Sequence, residues 1–198
     1  MTAPDAPFPT TAAASPGDFG QAYQAAFDAG AGAIVCVTVS GDLSGTLKSA
    51  TLGARELPDR EIHVVDSRSA SMGHGMLAQV GAEMAAGGAS GAAIAAALEE
   101  ARTRIDLYVA LDTLEYLKRG GRISGARAAM GTMLSIKPII TVTDGLVENA
   151  ERVRTRAKAR ERCLELLTQR PMERATVLHT TNADVEEFRA KLIERAGL

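Results

Sequence analysis

An α/β fold in two parts is the class this sequence predicts: a Rossmann-like domain on a parallel sheet, then a mixed α/β domain with antiparallel strands. Three observations predict it. Strand-like and helix-like runs alternate over residues 19–103, as they do when helices join parallel strands. The pattern changes after Arg104, where Asp144-Gly145 separates two apolar runs in the manner of a hairpin turn. A chain of 198 residues can fill one large domain or two small ones without disulfide staples. The boundary is expected near residue 104, giving domains 1–104 and 105–198.

Each element follows in order. Residues 1–17 are rich in Pro, Ala, Thr and Ser and read as loop. Ser15-Pro16-Gly17-Asp18 starts a helix, with Pro16 tolerated at the entry and Asp18 favoured by the dipole. Phe19, Tyr23, Ala26 and Phe27 recur along it at helical spacing, and Ala29-Gly30 ends it. Ala33 to Val39 is a buried parallel strand. A helix over Ser44 to Glu56 and a strand over Glu61 to Val65 follow. Met72 to Ala86 is a helix whose Gly73, Gly75 and Gly81 leave room for another helix or a ligand. Ser90 caps the next helix, through Ile94 and Leu98. In the second part Ile105 to Leu111 is a strand and Thr113 to Lys118 a short helical turn ended by Gly120-Gly121. Ser124 to Leu134 is a small helix. Lys137 to Val142 and Leu146 to Val153 form the hairpin, Thr155 to Leu167 a helix, Ala175 to His179 a strand and Ala183 to Arg195 a closing helix.

Composition narrows the function classes. Net charge is -2 and the isoelectric point about 6.0, so nothing draws the whole chain to nucleic acid. Trp is absent, with 4 Phe and 3 Tyr, which leaves few platforms for stacking bases. No apolar run reaches the roughly 18 residues of a membrane span, and the start of the chain lacks a basic segment followed by an apolar one. Cys36 and Cys163 lie far apart, without metal spacing, and read as buried thiols of a cytoplasmic protein. No His, Cys, Asp and Glu set has metal-site spacing, and no GxSxG elbow or Walker A loop is present.

Two stretches carry the chemistry. DLSGT at 42–46 sets Ser44 and Thr46 just after an apolar strand, where open α/β sheets bind ligands. Ser44 is expected at or near the N-cap of its helix, either as a plain cap or beside free amides that hold a carboxylate or phosphate. Gly45 lets a ligand approach the backbone. Asp66 and Ser67 end a strand and serve either the following turn or a ligand. The second stretch, DTLEYLKRGGRI at 112–123, crowds Lys118, Arg119 and Arg122 about two glycines. RVRTRAKAR at 152–160 adds Arg154 and Arg156. Guanidinium forks pair well with phosphate and carboxylate, so these residues form either a solvated face or a docking surface for an acidic or phosphate-bearing partner.

The chain resembles the DegV family of bacterial fatty-acid-binding proteins, which includes the lipid-carrying subunit of fatty acid kinase. SPGDF at 15–19, DLSGT at 42–46, VVDSRSASMGHG at 64–75, DTLEYLKRGGRI at 112–123, SIKPIITVTDG at 135–145 and RVRTRAKA at 152–159 carry the resemblance over nearly the whole chain. It implies two α/β domains enclosing one long-chain fatty acid in an apolar tunnel, with Thr11 and Ser44 on the carboxylate; Gly45, Thr46, Asp66 and Ser67, read from their places beside the strand ends, are the secondary ligand contacts expected. It implies that Arg122, Arg154 and Arg156 face a partner kinase, which phosphorylates the carboxylate with its own ATP. The chain itself would then be no enzyme and would need no cofactor or metal. The resemblance also implies a chain shortened at both ends: the family's opening strand with its TDS-type turn is missing, as is its closing glycine-rich segment with a carboxylate-contacting histidine. The other expectations are a binding-incompetent or regulatory relative, and a small-molecule enzyme using the crevice between the domains.

Overall fold

The computed structural model describes residues 8–123, 136–180 and 184–198. It has the two-part α/β architecture that the alternation predicts. The expected helix at Ser124 to Leu134 lies outside the described residues.

Helix α1 (Pro16–Asp28) opens with a reciprocal cap. The Asp18 amide donates to Ser15 Oγ at 3.2 Å and the Ser15 amide donates to the Asp18 carboxylate at 2.8 Å, satisfying donors that a helix start leaves unpaired. Strands β1 (Ile34–Thr38) and β2 (Ile62–Asp66) pair in parallel, Ile34 opposite Ile62 and Thr38 opposite Asp66. Helix α2 (Thr46–Arg55) connects them and packs against α1. That contact is close because Gly53 has no side chain: a Cβ there would stand 2.7 Å from the Pro16 carbonyl and 2.8 Å from Phe19 Cβ. Helices α3 (Met72–Ala86) and α4 (Gly91–Ala101) follow, and Ser90 caps α4. Val65, Leu77, Ile94 and Leu98 form the first core. Gly81 admits α4, since its missing Cβ would lie 3.2 Å from Leu98. Gly73 likewise makes room for Ser69. A neighbouring helix and loop, then, account for two of the three glycines of α3.

A single 3-10 turn, Arg102–Arg104, leads into the second part. Its sheet is antiparallel, in the order β3 (Tyr108–Ala110), β4 (Lys137–Thr143), β5 (Leu146–Val153). Strand β3 is shorter than the apolar run from Ile105 suggests, because only three of its residues pair with β4. The predicted hairpin is present, and Asp144 (φ 49) and Gly145 (φ 84) both take the left-handed conformation its turn demands. Helix α5 (Glu115–Arg119) precedes β4 in the chain, and α6 (Arg156–Leu167) and α7 (Val185–Ala196) follow β5. Alternation along β4 divides its side chains between two cores. Ile140 packs with Val147 and Ile123, while Ile139 packs with Ala159 and Cys163.

One expected strand is not formed. Ala175 to His179 has no sheet partner among the described residues, and Leu178 is 71% exposed. Apolar composition gives a segment the taste for a sheet, but a strand exists only where a neighbour takes its backbone groups.

Candidate functional site

The loops at the carboxyl ends of β1 and β2 lie against the turn of the β4–β5 hairpin, so the two parts of the chain meet there. Ser40 is the centre of that meeting. It is 0% exposed. Its hydroxyl donates to the Gly145 carbonyl at 2.7 Å and accepts from the Asp42 amide at 3.2 Å. Its carbonyl accepts from the amides of Leu43 (3.0 Å) and Ser44 (3.1 Å), and its own amide donates to the Ser69 carbonyl at 2.8 Å. Arg68, itself at φ 49, adds a bond from its guanidinium to the Asp144 carbonyl.

This turn places Ser44 one residue before the N-cap, near the cap as expected. Gly45 is the N-cap of α2, in αR conformation and with no side-chain bond to the first turn. The physical reason is the pull of both Leu43 and Ser44 amides onto the Ser40 carbonyl, which coils the chain before the helix begins. Ser44 instead accepts from the Thr46 amide at 3.3 Å and shares a hydrogen bond with the Thr46 hydroxyl at 2.8 Å. The result is a pair of half-buried hydroxyls beside an α2 amino terminus whose N-cap, Gly45, has no side chain to offer the Leu47 and Lys48 amides, a setting that favours an anion. Leu43 joins the apolar layer of the second part, packing with Leu111, Leu114 and Leu117 around Ile123, Ile140 and Val147.

Thr11 is exposed and accepts no protein hydrogen bond among the described residues. The segment carrying it is fixed at Phe8, which stacks on Tyr116 with ring centroids 5.6 Å apart and lies beneath the Arg119 guanidinium at 4.3 Å. Asp66 is engaged by its own turn, accepting from the amides of Gly41 (3.3 Å) and Arg68 (2.9 Å). Ser67 is buried, donating to the Ser69 carbonyl and accepting from the Ser69 amide. The Thr38 hydroxyl is also buried and has no hydrogen-bond partner among the described residues.

The arginines separate. Arg122 reaches the site, its Nε donating to the Leu43 carbonyl at 3.2 Å and its Nη1 to the Gly120 carbonyl at 2.6 Å. Arg156 lies elsewhere, with its fork on Asp112: Nε donates at 2.8 Å and a second nitrogen engages the other carboxylate oxygen. Lys137 donates to the same carboxylate at 2.8 Å. Bonds from Arg156 first, and then from Lys137, hold the Asp112 carboxyl well below the usual carboxylate range. Arg160 pairs with Asp184 at 2.8 Å. Arg154 is exposed and has no ion pair among the described residues. Sequence reading missed Asp112 as the anchor of Arg156, because the two are 44 residues apart with no local signal linking them. It missed the Ser40–Gly145 contact for the same reason.

A cavity of about 610 Å³ opens between the two parts, lined by Arg68, Ser69, Arg102, Tyr108, Thr141 and Leu166 among others. A depression of about 470 Å³ lies beside α2 at Arg55, Pro58 and Ile62. Thr11 and Ser44 line neither. No group of three or more metal-capable side chains occurs among the described residues, and no helix there is long and apolar enough to cross a membrane.

Residues 2–197 match the DegV family, a family of uncharacterised proteins by its description. DegV domain-containing proteins of Mycobacterium bovis and Mycobacterium tuberculosis are 40% identical over 191 residues, covering 94% of this chain and 68% of theirs. Among solved structures, a DegV family protein from Thermus thermophilus, described by its fatty acid binding, is 44% identical with a TM-score of 0.76, over 82% of this chain and 57% of that one. A DegV lipid-binding protein from Thermotoga maritima is 27% identical with a TM-score of 0.81, over 95% and 67%.

Proposed function

Because this chain belongs to the DegV family, we propose that it binds a long-chain fatty acid and presents the carboxylate to a partner kinase for phosphorylation. The kinase would supply ATP and the phosphoryl-transfer chemistry in the cytoplasm, with this chain as its non-catalytic, lipid-carrying subunit. One observation carries the reading. The Ser44 and Thr46 hydroxyls and the start of α2, where the N-cap Gly45 gives no side-chain bond, stand next to Leu43, which belongs to a half-buried leucine layer. A carboxylate can take the polar end of this arrangement while an acyl chain covers the leucines, each buried methylene contributing about 0.8 kcal/mol. Thr11 and the exposed backbone at Gly45 complete the head-group contacts in this reading, with the Asp66–Ser67 turn as support. Arg122, held on the Leu43 carbonyl, stands beside the head group. Arg154 and Arg156 form the surface that meets the kinase. Two DegV proteins described as fatty-acid or lipid binders, at 44% and 27% identity, support the ligand class.

Native mass spectrometry of the purified chain, followed by titration with a fluorescent C16 fatty acid, tests the ligand. Co-purified mass of a fatty acid is expected. Ser44→Ala should weaken binding by about 1–3 kcal/mol, the magnitude of a hydrogen bond to a charged group. Equal affinities of the two proteins would refute the head-group assignment. Arg154→Glu should leave lipid affinity intact and reduce acyl-phosphate formation with the kinase, more so at low salt.

A further inference from the structure

We infer that the hairpin turn of the second part sets the position of the Ser44 loop, and that Ser40 is the positioning residue through which it does so. The inference rests on the reading of Ser44 as a carboxylate ligand. Three observations converge. Ser40 is fully buried, and its hydroxyl makes one bond on each side of the junction, to the Gly145 carbonyl across it and from the Asp42 amide within its own loop. Its carbonyl holds the amides of Leu43 and Ser44, so the orientation of Ser40 is transmitted directly to the ligand loop. Gly145 leaves the space for this. A Cβ there would stand 2.6 Å from Ser40 Oγ and 2.9 Å from an Asp42 carboxylate oxygen, at a φ of +84 that already disfavours a side chain.

Two further bonds lock the same junction. Arg68 donates to the Asp144 carbonyl, and Arg122 of the second part donates to the Leu43 carbonyl. The turn is thus gripped at Asp144 and at Gly145, while the loop is gripped at Asp42, Leu43 and Ser44. A polar group with no exposed surface and bonds on both sides of an interface is costly to leave half-satisfied. The loop therefore has one low-energy arrangement while the hairpin is docked. Ser44 is never required to titrate or move; it is required to be in place, and pre-organisation of this kind favours binding by removing an ordering cost.

The test compares wild type, Ser40→Ala, Gly145→Ala and Ser44→Ala. Hydrogen exchange on the ligand-free protein reads the amides of Asp42, Leu43 and Ser44. Titration with a fluorescent C16 fatty acid reads affinity. A distant core variant, Leu192→Ala in α7, controls for general destabilisation. Ser40→Ala and Gly145→Ala should each speed exchange at these amides by about tenfold, the equivalent of one hydrogen bond, and weaken binding about five- to tenfold, while Leu192→Ala does neither. Wild-type exchange at residues 42–44 in both junction variants overturns the inference, whatever the ligand does. Faster exchange with affinity unchanged, in a protein where Ser44→Ala does weaken binding, also overturns it, because the loop order would then have no bearing on the ligand. If Ser44→Ala binds as wild type, the head-group reading falls and takes the positioning role with it. Should Ser40→Ala fail to fold, Gly145→Ala tests the same contact from the other side.

Discussion

Asp112 holds two cations on one carboxylate, and the consequence is a sign for the acid limb of stability. Its folded-state carboxyl is held low by Arg156 and then by Lys137. A depressed carboxyl contributes its stability above the unfolded-state value and loses it as pH falls through the folded one. Asp112→Asn should therefore destabilise the chain at neutral pH, with the gap to wild type closing as pH drops below about 4. Urea unfolding across that range measures it, and a gap independent of pH would contradict the assignment. The effect is a modest one, since all three side chains contact solvent. Burial pushes the Cys163 thiol up to about 11 and raises that of Cys36 as well. Alkylation by iodoacetamide near neutral pH should leave both untouched in the native protein and modify both after denaturation. Cys163 is buried as its apolar surroundings suggested, and Cys36 is only half-buried on its strand; the pairing of Asp112 was not legible, because its partners lie 25 and 44 residues away.

Elements were more legible than contacts. The cap at Ser15, the helical period from Phe19 to Phe27 and the Asp-Gly turn are local signals, each complete within a few residues, and each appears where it was expected. Ser44 was expected at or near the cap and lies one residue before it: a hydroxyl before an apolar helix looks the same whether it caps the helix or precedes the cap, and the Ser40 carbonyl decides between them. The closeness of α1 and α2 is another matter that local pattern leaves open. Gly53→Ala should drive a methyl into the Pro16 carbonyl and Phe19 and cost about 1–3 kcal/mol, as overpacking does. Thermal unfolding followed by circular dichroism reads this loss, and a variant as stable as wild type would show that α1 can shift without penalty.

At the scale of the whole molecule, exchange protection should divide the second part sharply. Ile139 and Ile140 lie on a strand paired on both sides and are nearly or fully buried, so their amides should exchange only near the global unfolding limit. Residues 175–178 should exchange orders of magnitude faster, since they have no sheet neighbour among the described residues. The stretch before them is fixed by side chains instead, Arg170 on Asp106 and Arg174 with its Nη1 and Nη2 on the two Glu83 carboxylate oxygens. Slow exchange at 175–178 would mean that the segment finds a strand partner in solution. By itself, the sequence determined the two-part α/β class, most of the helices and strands, the candidate hydroxyls and the basic clusters, because periodicity, caps and turn residues act over a few positions. Tertiary structure alone decided which arginine reaches the Ser44 loop, which is held by Asp112, whether an apolar run becomes a strand, and how the hairpin turn meets Ser40. Those outcomes depend on which backbone and charged groups approach one another across gaps of 25 to 105 residues, and no local pattern encodes such an approach.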